Sequence, residues 1–346
     1  MAPLVAILGA LRKAVQRDLG SLESLKVNNF VLFVALLVAG ALQSGQPPKS
    51  AYIFFFLFGF LLLFPISADP LARIPKDRLA LWPLSPTQRV VLRLSSLLLS
   101  PLLWVALIIA WRTGRLSEGL TFLGFALVVR ASSVLGKQLA NRQRHFHLLR
   151  YIPQFPGAIG GLIRKDIRQL LSLLDPYVAL ALSVGGAAFR ISGRNTDPMA
   201  FPMLGILVTL AISTYAQSLF GLDLRSGMTR YRLLPLRGWQ VLLAKDIAFM
   251  VVLLVLLLPL DPVPGITFGL AALAIGHHSS VFLRIPQQRW RFTGGRLLPV
   301  GALQLFGGVA IGFAETQRGP IVLALAAVLF VASLFWYGHC WDHMTG

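Results

Sequence analysis

Residues 241–260 read VLLAKDIAFMVVLLVLLLPL. Lys245 and Asp246 stand together near the start, and no further charge follows before Leu260. A hydrocarbon core about 30 Å thick is crossed by a helix of about 20 apolar residues, so this stretch reads as a membrane span. Working outward, 28–44, 51–67, 91–111, 116–134, 176–190, 201–221, 264–283, 297–314 and 319–338 have the same character. The span at 176–190 is short and is expected to borrow length from the amphipathic stretch before it. Of 346 residues, 56% are hydrophobic and 13% charged, against roughly 45–50% and 25% in soluble domains. This composition excludes a soluble enzyme, a disordered chain and a disulfide-built secreted domain. Cys340 is the only cysteine, so no intrachain disulfide and no Cys-rich metal site is possible. The expected fold class is all-α: a polytopic membrane protein with about ten transmembrane helices plus two amphipathic interfacial helices.

The formal net charge of +19 invites a nucleic-acid reading, but the positions of the cations explain it otherwise. With the N-terminus inside, 26 of the 32 Lys and Arg residues fall in inner segments, and only Lys49, Arg112, Arg115, Arg190, Arg194 and Arg318 fall outside. This alternation follows the positive-inside rule. It predicts a multi-pass protein of the cytoplasmic (inner) membrane with both termini cytoplasmic, attracted to anionic membrane lipid and needing no nucleic-acid partner. The first 27 residues lack the order of a signal peptide, because charges follow the short apolar run rather than precede it.

The chain resembles itself at an offset near 150. Arg17-Asp18-Leu19, then Leu22, Ser24 and Leu25, matches Lys165-Asp166-Ile167, then Leu170, Ser172 and Leu173. Both stretches are amphipathic. In the second, Leu162, Ile163, Ile167, Leu170, Leu171 and Leu174 face one way, with Arg164, Lys165, Arg168, Gln169 and Ser172 opposite. Two spans later the likeness returns. Residues 78–93 read RLALWPLSPTQRVVLR and 230–245 read RYRLLPLRGWQVLLAK. Shared features are a leading Arg (Arg78, Arg230), a Pro-Leu pair (Pro83, Pro235), a Gln (Gln88, Gln240) and a closing cation (Arg93, Lys245), with Asp69 or Asp223 ahead. Both copies begin on the inside, so the repeat is parallel. The chain divides into a first repeat of four spans (1–135), a cytoplasmic linker (136–160) and a second repeat of six spans (161–346).

An amphipathic lead-in, two spans, a basic loop closing in Pro-Leu-Ser or Pro-Leu, and a next span opening with a cation resemble the permease subunit of ABC-2 type transporters. Pro83-Leu84-Ser85, Pro235-Leu236, Arg93 and Lys245 carry the likeness. The resemblance implies an exporter energised by a separate cytoplasmic ABC ATPase that holds ATP and Mg, with no cofactor in this chain. It also implies that the loop between second and third spans docks on that ATPase, by position residues 70–82 and 224–234. The coupling residues would be Asp69, Arg73, Lys76, Arg78, Pro83, Asp223, Arg225, Arg230, Arg232, Pro235 and Lys245. The usual unit has six spans and the first repeat here has four, so a second permease copy is a possible partner.

The residues support a borrowed energy source independently. Ion-coupled carriers place carboxylates within their spans, whereas here Asp246 is the deepest acid, read as an interfacial ion pair with a nearby cation. No Gly-x-x-x-x-Gly-Lys-Ser/Thr run is present to cradle phosphates, and Gly294-Gly295-Arg296 reads as a turn. Proline lacks a backbone N–H and disfavours a helical residue before it, so Pro83 and Pro235 can each separate a docking helix from the span that follows.

His277, His278 and Ser279 form a polar patch in the eighth span, read as a possible cavity. They also motivate the alternative of a polytopic membrane enzyme acting on lipid, although no Gly-x-Ser-x-Gly setting accompanies them. A membrane scaffold without transport is the third reading. His339 and His343 lie one helical turn apart but sit among Phe335, Trp336, Tyr337 and Trp341, which read as an interfacial aromatic anchor rather than a metal site.

Overall fold

The computed structural model describes residues 6–13, 26–30, 32–33, scattered positions between 82 and 124, and 157, 159–193, 198–223, 231, 235–283 and 285–345. Arg17, Asp18, Asp69, Arg73, Lys76, Arg78, Pro83, Arg225, Arg230 and Arg232 lie outside the described residues, as do most of the first four expected spans. The chain forms two compact units. The first comprises residues 1–25 and 31–146, and the second residues 26–30 and 147–346.

In the first unit, residues 6–13 are helical. Leu11, Leu84 and Leu92 form a buried cluster joined by Ile7, Leu8 and Trp82.

The second unit is a helical bundle. Its elements are β1 (Lys26–Val27), α1 (Gly160–Leu170), α2 (Asp175–Ile191), α3 (Ala200–Ser213), α4 (Gly238–Leu257), α5 (Pro262–His278), β2 (Gly295–Arg296), α6 (Gly308–Arg318) and α7 (Pro320–Thr345). A 3₁₀ turn at Thr214–Ser218 extends α3, and a π-helical turn at Ser279–Leu283 extends α5. Two more π-helical turns, Leu297–Gly301 and Leu303–Gly307, lead into α6. Among the described residues, four helices are long and apolar enough to cross a membrane: Ala200–Ser218, Gly238–Leu257, Pro262–Leu283 and Pro320–His343. The α1–α2 pair makes a fifth if taken as one broken span. Only 17% of the apolar window of α7 is buried, against 61–72% in the other three, so α7 flanks the bundle.

The helix starts follow from their sequences. Asp261 caps α5 by accepting from the Val263 N–H (3.4 Å), and Pro262 and Pro264 stand in the first turn, where a missing N–H costs nothing. Consecutive helices run in alternating directions. Arg190, at the end of α2, donates to the Pro259 carbonyl beyond α4 (2.9 Å) and lies 4.8 Å from the ring of Phe201 at the start of α3. At the opposite end, the Gly238 N–H at the start of α4 donates to Asp342 near the end of α7 (2.7 Å).

Three expectations change. The amphipathic stretch does not continue the 176–190 span in a straight line: α1 and α2 meet at 79° and are long and apolar enough to cross a membrane only when taken together. The corner between them is tied down by Leu174 N–H on the Arg291 carbonyl (3.1 Å) and Trp290 N–H on the Ser172 carbonyl (2.6 Å). The fold is not purely helical either, because β1 pairs antiparallel with β2, Lys26 opposite Arg296 and Val27 opposite Gly295. Finally, Gln169 and Ser172 are buried, although they were placed on the outward polar face of α1.

The chain following β1 is fastened by amides. Asn28 donates to Asp175 (2.6 Å) and to the Thr293 carbonyl (3.0 Å), while Asp175 also accepts from the Thr293 N–H (2.9 Å) and hydroxyl (2.6 Å). Asn29 donates to Gln304 Oε1 (2.8 Å), which also accepts from Gln217 (2.7 Å). Gln304 Nε2 in turn donates to the Ser213 (3.0 Å) and Ala272 (2.9 Å) carbonyls. Gln304→Leu keeps the volume approximately but strands two amide donors. At about 1–3 kcal/mol for each buried group left unpaired, the purified protein should lose about 2–6 kcal/mol. Thermal unfolding in detergent checks this, and a melting temperature equal to wild type would contradict it.

Candidate functional site

Three stretches far apart in sequence deliver ionisable side chains to one place. The inward face of α1 carries Asp166 and Gln169, three residues apart and therefore on the same side of the helix. The turn after α3 carries Asp223, with its N–H bonded to the Phe220 carbonyl (2.9 Å). That turn packs tightly: a Cβ on Gly221 would lie 2.6 Å from the Ile285 carbonyl oxygen. Helix α4 carries Lys245.

Asp223 is the hub. Its Oδ1 accepts from Gln169 Nε2 (2.7 Å) and Lys165 Nζ (2.8 Å), and its Oδ2 from Lys245 Nζ (2.8 Å) and the Tyr231 hydroxyl (2.8 Å). Lys245 Nζ also reaches Asp166 Oδ1 at 3.1 Å and lies 5.0 Å from the Phe220 ring centroid. Lys165 Nζ donates to the Tyr231 hydroxyl (2.5 Å) and stands 4.6 Å from its ring centroid. Lys245 is wholly buried and Asp166 and Asp223 nearly so, while the side chain of Lys165 remains 39% exposed. Two ammonium groups face two carboxylates, so the group is neutral. Neutrality is necessary here, because a buried charge without its counterion costs several kcal/mol.

Burial pushes the Asp223 carboxyl upward, but the Lys245 charge and the hydrogen bonds from Lys165, Lys245 and Gln169 outweigh it and hold it below the ordinary carboxylate range. Burial pushes the Tyr231 phenol up; the Lys245 charge opposes this, and Asp166 and Asp223 reinforce it. Its hydroxyl therefore remains a donor to Asp223.

A second polar chain lies deeper. Asp246 faces away from Lys245 and takes His277, whose Nε2 is 3.1 Å from both carboxylate oxygens. Asp246 was expected to pair with a nearby cation; its partner is a histidine on α5. His277 Nδ1 contacts Ser333 Oγ on α7 at 2.9 Å. His277 and Ser279 are buried, whereas His278 is exposed, meets Tyr337 edge-on and lies tilted against Phe282. The expected patch therefore divides between the inside and outside of the bundle.

Of the residues singled out by the repeat, Lys165, Asp166, Asp223 and Lys245 form one cluster. Pro235 is exposed in the loop just ahead of α4. The shared glutamines do the same work in both units. The Ser85 N–H donates to Gln88 Oε1 (3.0 Å), with the Gln88 N–H returning to Ser85 Oγ (3.3 Å), a capping box. The Arg237 N–H donates to Gln240 Oε1 (2.9 Å) at the start of α4. Tyr231 and Ser333 join the two polar groups with no motif to announce them, although Tyr231 lies within the repeated stretch 230–245, and Gln169 read only as one residue of a polar helix face.

Compared with known proteins, the chain matches no family model, no curated protein and no solved structure.

Lys245→Met leaves two carboxylates facing each other without their buried cation. It should cost about 3–5 kcal/mol, and adding Asp223→Asn should recover part of that loss in a double-mutant cycle of melting temperatures. Because the folded state holds Asp223 below its unfolded value, its contribution is present above the ordinary carboxylate range and is lost as pH falls through the lower, folded value. Acid titration of wild type against Asp223→Asn should therefore show a steeper loss of stability in wild type below about pH 4. Parallel curves would remove Asp223 from the stabilising group.

Proposed function

We propose that the chain is the membrane-embedded permease subunit of an ATP-driven exporter of the ABC-2 type, worked by a separate cytoplasmic ATPase. The observation that carries this reading is the Asp166–Lys245–Asp223–Lys165 cluster with Tyr231. It ties an amphipathic helix, the segment between two spans and the first turns of the next span into one body. A partner that pushes on 224–234 would then move α4 and α1 together, because Tyr231 and Asp223, on either side of 224–230, are both bonded into the cluster that holds those helices. The four apolar helices and the bent fifth are consistent with about ten spans in all, four in 1–135 and six in 161–346.

The alternating helices and their cations together support one orientation. The end that carries Lys165, Asp223 and Lys245 also holds the end of α7, while Arg190 marks the opposite end. Applying the positive-inside rule puts the former in the cytoplasm, with both chain termini and the docking segments 70–82 and 224–234. ATP and Mg belong to the partner ATPase. Membrane lipid surrounds the exposed apolar face of α7, which includes Ile321, Leu325, Val328 and Leu329.

The lipid-enzyme reading draws on the Asp246–His277–Ser333 chain, whose order is that of a hydrolase acid, base and nucleophile. Ser333, however, lies in the interior of α7, where backbone N–H groups are committed to carbonyls four residues earlier. Such a serine has no neighbouring N–H pair to stabilise an oxyanion, so the permease reading is favoured.

Charge reversal at Arg230 and Arg232 should release a co-purifying ATPase in mild detergent while leaving membrane insertion intact. Unchanged co-purification would count against docking through 224–234. Covalent labelling of Ser333 by a fluorophosphonate probe would favour the enzyme instead.

A further inference from the structure

We propose that Trp290, Tyr177 and Arg289 form a lipid site at the inner end of α2, and that its ligand is the headgroup region of an anionic phospholipid in the surrounding bilayer. The proposal rests on the reading of the bundle as membrane-embedded and is independent of transport.

The backbone supplies the first observation. Trp290 stands at φ 59°, the one non-glycine residue at positive φ among the described residues. Bulky side chains rarely adopt this left-handed conformation. Two hydrogen bonds hold the turn in place. The Trp290 N–H donates to the Ser172 carbonyl (2.6 Å), and the carbonyl of the next residue, Arg291, accepts from the Leu174 N–H (3.1 Å). The turn is thus fastened to the corner between α1 and α2. Glycine takes such a backbone without steric conflict, so the position is occupied for its side chain. Burial in the bundle does not explain that side chain. Trp290 is 53% exposed and stacks on Tyr177 (ring centroids 6.2 Å apart), which is itself 45% exposed. Strain held at an exposed residue points to something that the side chain meets outside the bundle.

The surroundings identify the ligand. Tyr177, Leu180, Val184 and Ile191 are exposed and recur at helical spacing, so they form one apolar stripe along α2. The helix has 17 residues, and its length of about 26 Å approaches the hydrocarbon thickness of about 30 Å. Because α1 turns away at 79°, it runs along the membrane surface when α2 crosses, and the corner lies at the interface. Trp and Tyr concentrate at that level. The turn is also basic: residues 284–291 read RIPQQRWR, three arginines with no acid. Arg289 is exposed, and neither its guanidinium nor the Trp290 indole N–H has a partner among the described residues. Both groups donate and neither accepts, which suits phosphate oxygens. The Tyr177 hydroxyl already donates to the Leu171 carbonyl (3.0 Å), so Tyr177 offers its ring. A protein partner seated on the turn would leave the stripe uncovered. A phospholipid covers both, with its phosphate at Arg289 and its acyl chains along Leu180 and Val184. The unbalanced cation selects an anionic headgroup over a zwitterionic one.

The test uses the full-length protein in nanodiscs holding phosphatidylglycerol or phosphatidylcholine, each spin-labelled either near the headgroup or at the chain end. The Trp290 signal is the fluorescence difference between wild type and Trp290→Phe, and the remaining tryptophans of the seven report whether the bundle sits in the bilayer. Trp290 should be quenched more by the shallow label than by the deep one, and at a lower fraction of phosphatidylglycerol than of phosphatidylcholine. Arg289→Ala should weaken that preference about fivefold, the effect of one cation near an anionic surface. Native mass spectrometry is the second readout. Wild type should retain phosphatidylglycerol that Arg289→Ala and Trp290→Gly release, glycine preserving the turn. A Trp290 signal left unquenched while other tryptophans are quenched would overturn the site. Equal quenching by the two lipids, or equal retention by wild type and both variants, would do the same. Absence of quenching at every tryptophan would overturn the membrane reading, and this proposal with it.

Discussion

An ammonium group sealed from water holds the charged end of the bundle together. Lys245 stands two turns into an apolar helix, where no solvent reaches it. Its position is tolerable only because Asp166 and Asp223 arrive from separate elements to meet it. Much else follows from that requirement. Helix α1 must lie across the bundle so that Asp166 reaches Lys245, which is why it meets α2 at 79° instead of continuing it. The turn after α3 must close tightly to present Asp223, and Lys165 and Tyr231 then cover the hub from the more open side. Replacing such a group by apolar residues of the same volume often leaves stability unchanged or improved. Its retention therefore fits a role in fixing one arrangement of α1, the inter-span turn and α4.

The apolar spans were legible because membrane insertion writes a local rule: length and hydropathy alone mark α3, α4, α5 and α7. The ionisable residues were legible one by one, since the repeat singled out Lys165, Asp166, Asp223 and Lys245. Their convergence was not, because a contact between residues 79 positions apart leaves no periodicity. Gln169 and Ser172 went to the wrong face for a related reason. A hydropathy wheel sends every polar residue outward, whereas the bundle offers α1 a polar surface in Asp223. Asp246 was expected to face a nearby cation, but nothing in the sequence tied it to His277, which read as part of a separate polar patch. Ser333 was invisible, one hydroxyl in an otherwise apolar helix. Asn28 and Asn29 read merely as the start of a span, but they are the buried link between β1 and the 293–304 segment.

Those asparagines also bear on the irregular backbone nearby. Three π-helical turns occur among the described residues, two of them directly before α6. A wide turn misdirects carbonyls and N–H groups, and in hydrocarbon such groups have no water to satisfy them. Here the second of the pair places Gln304 where its amide meets Asn29, Gln217 and two carbonyls. The irregular segment is thus surrounded by protein donors and acceptors. The same chemistry explains Gly295: a Cβ there would lie 2.5 Å from the Gln217 amide oxygen, which accepts from the Arg296 N–H. Polar side chains and wide turns form one arrangement, and neither is stable without the other.

The repeat acquires a physical meaning from its glutamines. A helix start leaves N–H groups without partners, and a side-chain acceptor three residues in fixes where the helix begins. Gln240 does this for α4 by holding the Arg237 N–H, and Gln88 does it by holding the Ser85 N–H. Once the start is fixed, every later position faces a determined direction, at about 100° per residue. Lys245 follows Gln240 by five residues, so the cap also sets the direction in which the ammonium enters the bundle. Arg93 follows Gln88 at the same spacing. The interval is therefore a constraint on helix rotation in α4: shifting the cap by one residue would swing Lys245 through about 100° and take it away from Asp166 and Asp223.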